Sequence, residues 1–292
     1  MIFALTLLVL AQGEPCYRTP RAGHGCGYRA ERSGANLAFF EAFPASGAGT
    51  TTACSTTAPT GARGEVLTFT RASNGTCTKT ATGGLATTGI ANGDLVVLSS
   101  NVARVEYDSA GTLGLLVEAT RTNAAKKSQE MDPAGAGAGV WATAASGVAA
   151  PTITADFATA PDGTMTAERY EIPATSGAQY SVVGNAGSFT GAVAGSGSLY
   201  VKGNGTSGTT CIAVNGDGAL CAYVAATWTR CLVENKTPAS SAPLYVGNYS
   251  AATTGCNGVS FGAQDIFVWG AQGETGAYAT SYIPTTTIAV AK

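Results

Sequence analysis

Charge is scarce in this chain. Asp, Glu, Lys and Arg make up 12% of its 292 residues, against about a quarter in ordinary globular domains. The 16 Lys and Arg are scattered and are outnumbered by 18 acids, for a formal net charge of -2. With no basic stripe to replace the counterions of a phosphate backbone, nucleic acid is excluded as a partner. Histidine is present only as His24. A Ser-His-Asp or Cys-His arrangement would have to be built on that residue, which sits in a Gly/Arg-rich run rather than after a strand-turn signal. No Cys-x-x-Cys pair occurs, which removes the local signature of zinc or thioredoxin-like chemistry. Gly-rich runs such as "GNGTSG" lack the Gly-Lys-Ser/Thr ending that cradles a phosphate. The apolar run at residues 2–10 is far short of the about 20 residues of a bilayer span, so stable membrane insertion is not expected. It resembles a signal-peptide core without a positive n-region. We read it as an anchor or assembly segment, the alternative being the leader of a secreted protein.

What the chain has in abundance is Gly (39), Ala, Thr and Tyr (11), a composition that favours strands joined by tight turns. With 45% hydrophobic residues, it is not the solvated composition of a disordered chain. Residues 1–61 are interrupted by Pro15, Pro20, Pro44, Pro59 and several glycines and read as an irregular anchor. Residues 62–130 read as a small β-rich connector: Val66, Thr68 and Thr70 alternate with Leu67, Phe69 and Arg71, and Asn74-Gly75 suggests a hairpin turn. Beyond a Gly/Ala-rich stretch, residues 131–292 carry short strand signals such as "AQYSVVG", "GSLYVKG", "TCIAVNG" and "APLYVGNY", separated by Gly, Asn and Pro turns. The fold class is therefore all-β, with a C-terminal two-sheet sandwich.

Eight cysteines occur, at 16, 26, 54, 77, 211, 221, 231 and 256. The even count suits disulfides in an oxidising compartment, though partners cannot be read from spacing alone and buried free thiols are the alternative. Cys211 and Cys221 flank an "NGDG" turn symmetrically about Gly216, as paired residues of a hairpin would. Cys16 with Cys26 would close a similar short loop.

Two stretches carry a resemblance. "LTFTRASNGT…RVEYDSAGTLGLLVEATRTN" is similar to a module of bacteriophage appendage proteins. The closing "FVWGAQGETGAYATSYIPTT" resembles the end of the carbohydrate-binding-module-like jelly roll that follows that module in phage head-fibre and tail-fibre proteins. The resemblance implies a virion structural protein on the particle surface. It would be a capsid- or tail-attached fibre, spike or decoration subunit that contacts other virion proteins through its N-terminal segment and assembles as a homotrimer. Host surface glycans are a further partner. A glycan-binding adhesin is the first alternative and a glycan hydrolase the weaker one. No catalytic residues are assigned, and the chain is not expected to be an enzyme.

Glycan binding needs exposed aromatic faces with polar neighbours. The candidates are Trp141, Tyr180, Tyr200, Tyr223 and Tyr249. Trp228 and Trp269 are expected to face inward, with Tyr278 and Tyr282 covering the sheet edge. No cofactor is expected beyond a structural calcium that the resemblance allows, with Asp162 and Asp265 as its carboxylates. The other reading of these two is a Pro-Asp-Gly turn and a strand carboxylate paired with a backbone amide.

Overall fold

The computed structural model describes residues 28–31, 38–41, 53–54, 75–79, 88–100, 102, 104–107, 113–115, 118, 121–137, 139–189, 191–238, 240–286 and 290–291. The apolar run at 2–10, His24, Cys16 and Cys26 and the strand expected around Val66 lie outside the described residues. Every strand pair among the described residues is antiparallel, no helix occurs among them, and the chain is all-β.

Short ribbons come first: β1 (Tyr28–Glu31) with β2 (Ala38–Glu41), β3 (Gly75–Thr78) with β4 (Leu95–Leu98), and β5 (Val105–Tyr107) with β6 (Leu113–Leu115). Gly75 opens β3 opposite Leu98, while Asn74 of the hairpin turn expected from sequence lies outside the described residues. β7 (Thr122–Asn123) leads into the sandwich and later receives β18 (Val290–Ala291).

The sandwich is built from β8 (Trp141–Ser146), β9 (Thr152–Ala158), β10 (Ala167–Ile172), β11 (Tyr180–Phe189), β12 (Gly195–Gly203), β13 (Gly208–Val214), β14 (Asp217–Tyr223), β15 (Thr229–Lys236), β16 (Ala242–Tyr249) and β17 (Gln264–Thr275). One sheet has the order β15-β12-β17-β10-β9 and the other β14-β13-β16-β11-β8. Alternation decides which side chains meet between them. Leu199, Val201, Ile266 and Val268 of the first sheet pack on Val183, Ile212, Leu244 and Val246 of the second in one buried cluster.

β17 is buried on both faces. Ile266 and Val268 join the sandwich core, while Phe267 and Trp269 belong to a separate cluster with Tyr200, Trp228, Tyr282, Ile90 and Leu95. Trp228 and Trp269 are therefore not inside the sandwich, as the sequence suggested. They lie on the outer face of the first sheet, under the connector and the chain end. Ile90 and Trp228 exchange backbone hydrogen bonds of 3.2 and 2.8 Å, which extends that sheet by one connector residue. A bulge re-aims the far half of β17. Ser198 faces Gln272 and Tyr200 faces Trp269, so Gly270 and Ala271 together oppose Leu199. Gly270 takes φ +68°, a conformation that favours glycine.

Among the described residues three disulfides form: Cys54–Cys77, Cys211–Cys256 and Cys221–Cys231. The pairing of Cys211 with Cys221 is thus overturned. The hairpin turn is the two residues Asn215 and Gly216, with Val214 opposite Asp217. Cys211 then faces Leu220, and Cys221 faces Thr210. An offset of one residue puts the two sulfurs on opposite faces of the ribbon. Cys221 reaches across the core to the other sheet, and Cys211 ties down the loop after β16.

Candidate functional site

The outer face of the second sheet carries a group of tyrosines. Positions in register share a face: Tyr180 of β11 faces Tyr249 of β16, and Gly184 faces Tyr245. The Tyr180 and Tyr249 rings meet edge to face at 5.5 Å, and Tyr249 meets Tyr245 the same way at 5.7 Å. All three are half-buried. Gly184 makes this possible, since a Cβ there would come 2.5 Å from the Tyr245 ring. On the edge strand β8, Ala142, Ala144 and Ser146 lie opposite Gly184, Val182 and Tyr180, so only small side chains border the rings on that side. Toward β13 the face is closed by the loop after β16, held by Cys211–Cys256 and packed with Phe261.

Burial raises the Tyr245 phenol above its ordinary pKa, with the neighbouring Tyr180 adding to it. Tyr249 is raised by burial and then by Tyr245 and Tyr180. Both therefore stay protonated near neutral pH, each able to donate and accept one hydrogen bond. Gln179 stands at the end of the row, donating from Nε2 to the Gly147 carbonyl at 3.2 Å and accepting the Ser176 N–H at 3.0 Å. Apolar ring faces beside neutral hydroxyls suit a ligand that is apolar on one side and hydroxylated at its rim.

Of the five aromatic residues singled out in the sequence, Tyr180 and Tyr249 fall in this group. The other three are withdrawn from solvent. Trp141 is 3% exposed and donates its Nε1–H to the Lys127 carbonyl at 3.0 Å. Tyr223 is 4% exposed in the sandwich core, and Tyr200 is 2% exposed beneath Trp269 and Tyr282. Tyr245 was missed, although its spacing of four from Tyr249 puts both on one face of a strand. An exposed ring on the first sheet, Phe157, already carries the Arg169 guanidinium 5.2 Å above it.

The two proposed calcium carboxylates serve separate networks. Asp162 accepts the Thr164 N–H at 3.0 Å and its hydroxyl at 2.6 Å, closing a Pro-Asp-Gly turn, and takes Gln129 Nε2 at 3.2 Å. Asp265 accepts two bonds from Arg169, at 2.8 and 2.6 Å, and one from Asn204. The Arg169 hydrogen bond holds its carboxyl below the usual range. Its partner is a guanidinium rather than the expected backbone amide. Among the described residues no group of three or more His, Cys, Asp or Glu is placed to hold a metal ion.

Glu168 is 2% exposed, and burial pushes its pKa up to about 8, with Asp156 and Asp132 adding to the rise. A raised carboxyl is a common mark of general-acid chemistry. Here, however, its oxygens accept the backbone N–H groups of Met131 and Asp156, each at 3.1 Å. Asp156 lies in the stretch where β9 slips register against β10. The carboxyl fills an irregularity in the sheet.

No protein-family model and no curated protein matches this chain. Among solved structures, it is similar over 56% of its length to the CBM22-1–GH10 modules of Clostridium thermocellum endo-1,4-beta-D-xylanase 10B, complexed with xylohexaose, at 14% identity and a TM-score of 0.35. It is also similar over 49% of its length to the enzymatically active domain of bacteriophage CBA120 tailspike protein 4, at 12% identity and a TM-score of 0.31. The chain spans 29% and 21% of the lengths of those two chains. Neither likeness is close enough to carry an activity from one chain to the other.

Proposed function

We propose that this chain is a non-catalytic display subunit of a virion surface appendage, whose jelly roll holds glycan on the face formed by Tyr180, Tyr245 and Tyr249. The observation that carries the glycan reading is the edge-to-face tyrosine row over Gly184, bordered by Ala142 and Ala144. A pyranose presents one apolar C–H face and a rim of hydroxyls, which matches ring faces beside neutral phenols. The appendage reading rests on the sequence resemblance. With it come attachment through residues 1–61, three-fold assembly and a position on the particle surface.

A glycan array tests the binding half. Binding should fall at least ten-fold in Tyr245→Ala, a loss of about 1.4 kcal/mol, with the β-sheet circular dichroism unchanged. Equal binding by wild type and variant would sink the site. Release of reducing ends from any polysaccharide that is bound would sink the non-catalytic assignment. Cryo-electron microscopy of intact particles tests the other half, which fails if the chain is missing from them.

A further inference from the structure

Residues 279–286 fold back over β17, yet side chains supply most of their hydrogen-bond partners. The Thr280 N–H is taken by Glu274, the Ser281 N–H by Glu118 at 2.8 Å, the Ile283 N–H by Gln272 at 2.7 Å and the Thr285 N–H by the Ser128 hydroxyl at 2.8 Å. The carbonyls are read the same way. Thr280 O accepts Arg230 at 2.6 Å, Tyr282 O accepts Thr76 at 2.6 Å and Ile283 O accepts Asn123 at 2.7 Å. Glu118 pairs with Arg104, and the buried Glu274 also accepts Gln272 Nε2 at 2.8 Å and the Thr280 hydroxyl at 2.9 Å. Tyr282 is the anchor. It is 1% exposed, lies 4.9 Å from Trp269 and 6.0 Å from Tyr200, and shares a hydrogen bond of 2.6 Å with Ser128.

From Thr280 to Ile283 an uncharged main chain is read by fixed side chains, with one aromatic ring in a pocket, as in peptide recognition. Further on, the Thr285 and Thr286 carbonyls accept the backbone N–H groups of Ser128 and Lys127 and β18 pairs with β7, as a strand added to a sheet edge would. The segment's partners come from both connector and sandwich, with Glu274 and Gln272 of β17 among them, and its covalent link to β17 is the loop 276–278. We propose that these residues line a peptide-binding groove whose ligand is the C-terminal segment of this same sequence, exchangeable between copies of the chain. In the intact chain the tethered segment competes at an effective concentration on the order of mM. Free peptide at micromolar concentration therefore gains access only when the tether is cut or the resident segment is weakened. This inference is independent of glycan binding and of virion attachment.

The test uses the full chain with a protease site inserted between Ala277 and Tyr278, cut after folding. The probe is a fluorescent peptide of residues 278–292. The groove predicts that the cut segment co-elutes with the body on gel filtration and is replaced by the probe saturably. The probe should not bind uncut protein, and a Tyr282→Ala probe should bind at least 30-fold more weakly. Immediate loss of the segment on cutting, unfolding of the body, or equal binding of the two probes would overturn the proposal. Should the insertion itself prevent folding, uncut Tyr282→Ala protein serves instead. It should take up the wild-type probe where wild-type protein does not, and its failure to do so would overturn the groove equally.

Discussion

Glu168 illustrates how a single residue can be read from its chemistry and still be misjudged without its surroundings. In sequence it is one acid of "MTAERYEI", alternating like its neighbours. In the fold its pKa rises from 4.5 to about 8. Folded protein therefore holds a proton that unfolded protein releases between those values, and stability falls as pH rises through that window. The melting temperature of wild type should drop between about pH 5 and about pH 9, and Glu168→Gln should flatten that drop. A variant with the same slope as wild type would show that this carboxyl is not the cause. Asp265 acts in the opposite sense. Arg169 keeps its pKa low, so the contribution of that pair is present above the ordinary carboxylate range and fades as pH falls through the lowered value. The turn role of Asp162 was legible because Pro-Asp-Gly is local chemistry. The Arg169 partner of Asp265 was not, since it arrives from another strand 96 residues away.

At the scale of elements, the sheets were legible and the registers were not. β13 and β14 were expected as a hairpin around "NGDG", and they form one. Placing the turn at Asn215 and Gly216 rather than symmetrically about Gly216 shifts every cross-strand pair by one residue. That shift is enough to send Cys221 to β15 and Cys211 to the far loop. Cys221–Cys231 joins an edge strand of one sheet to an edge strand of the other across a separation of 10 residues. Removing it with Cys221→Ala and Cys231→Ala should lower unfolding free energy by about 2–3 kcal/mol, measured in urea. A double variant of unchanged midpoint would mean that the cross-link constrains nothing in the unfolded chain.

For the whole molecule, the connector and the sandwich share a core. Ile90 is fully buried against the outer face of the first sheet, in the cluster that holds Trp228 and Trp269. Trp228 Nε1 donates to Asn92 at 2.9 Å, and Lys202 lies 5.2 Å over the same ring. Such an interface couples the two parts, so tryptophan fluorescence and circular dichroism should report one transition on heating. Ile90→Ala should cost about 2–5 kcal/mol and shift tryptophan emission to the red. Two separate transitions in wild type would show that the parts unfold independently.

The sequence alone determined the all-β class, the strand period and the poverty of charge. These are properties of neighbours along the chain. Tyr200 in "GSLYVKG" and Tyr245 in "APLYVGNY" look alike at that range, each a Tyr-Val step in a strand. One is buried and the other borders solvent. The difference arises because connector residues and the chain end fold over the first sheet and leave part of the second sheet uncovered. Which face is covered, which cysteines meet and what reads the final segment are set by contacts across many tens of residues, and only the tertiary structure decides them.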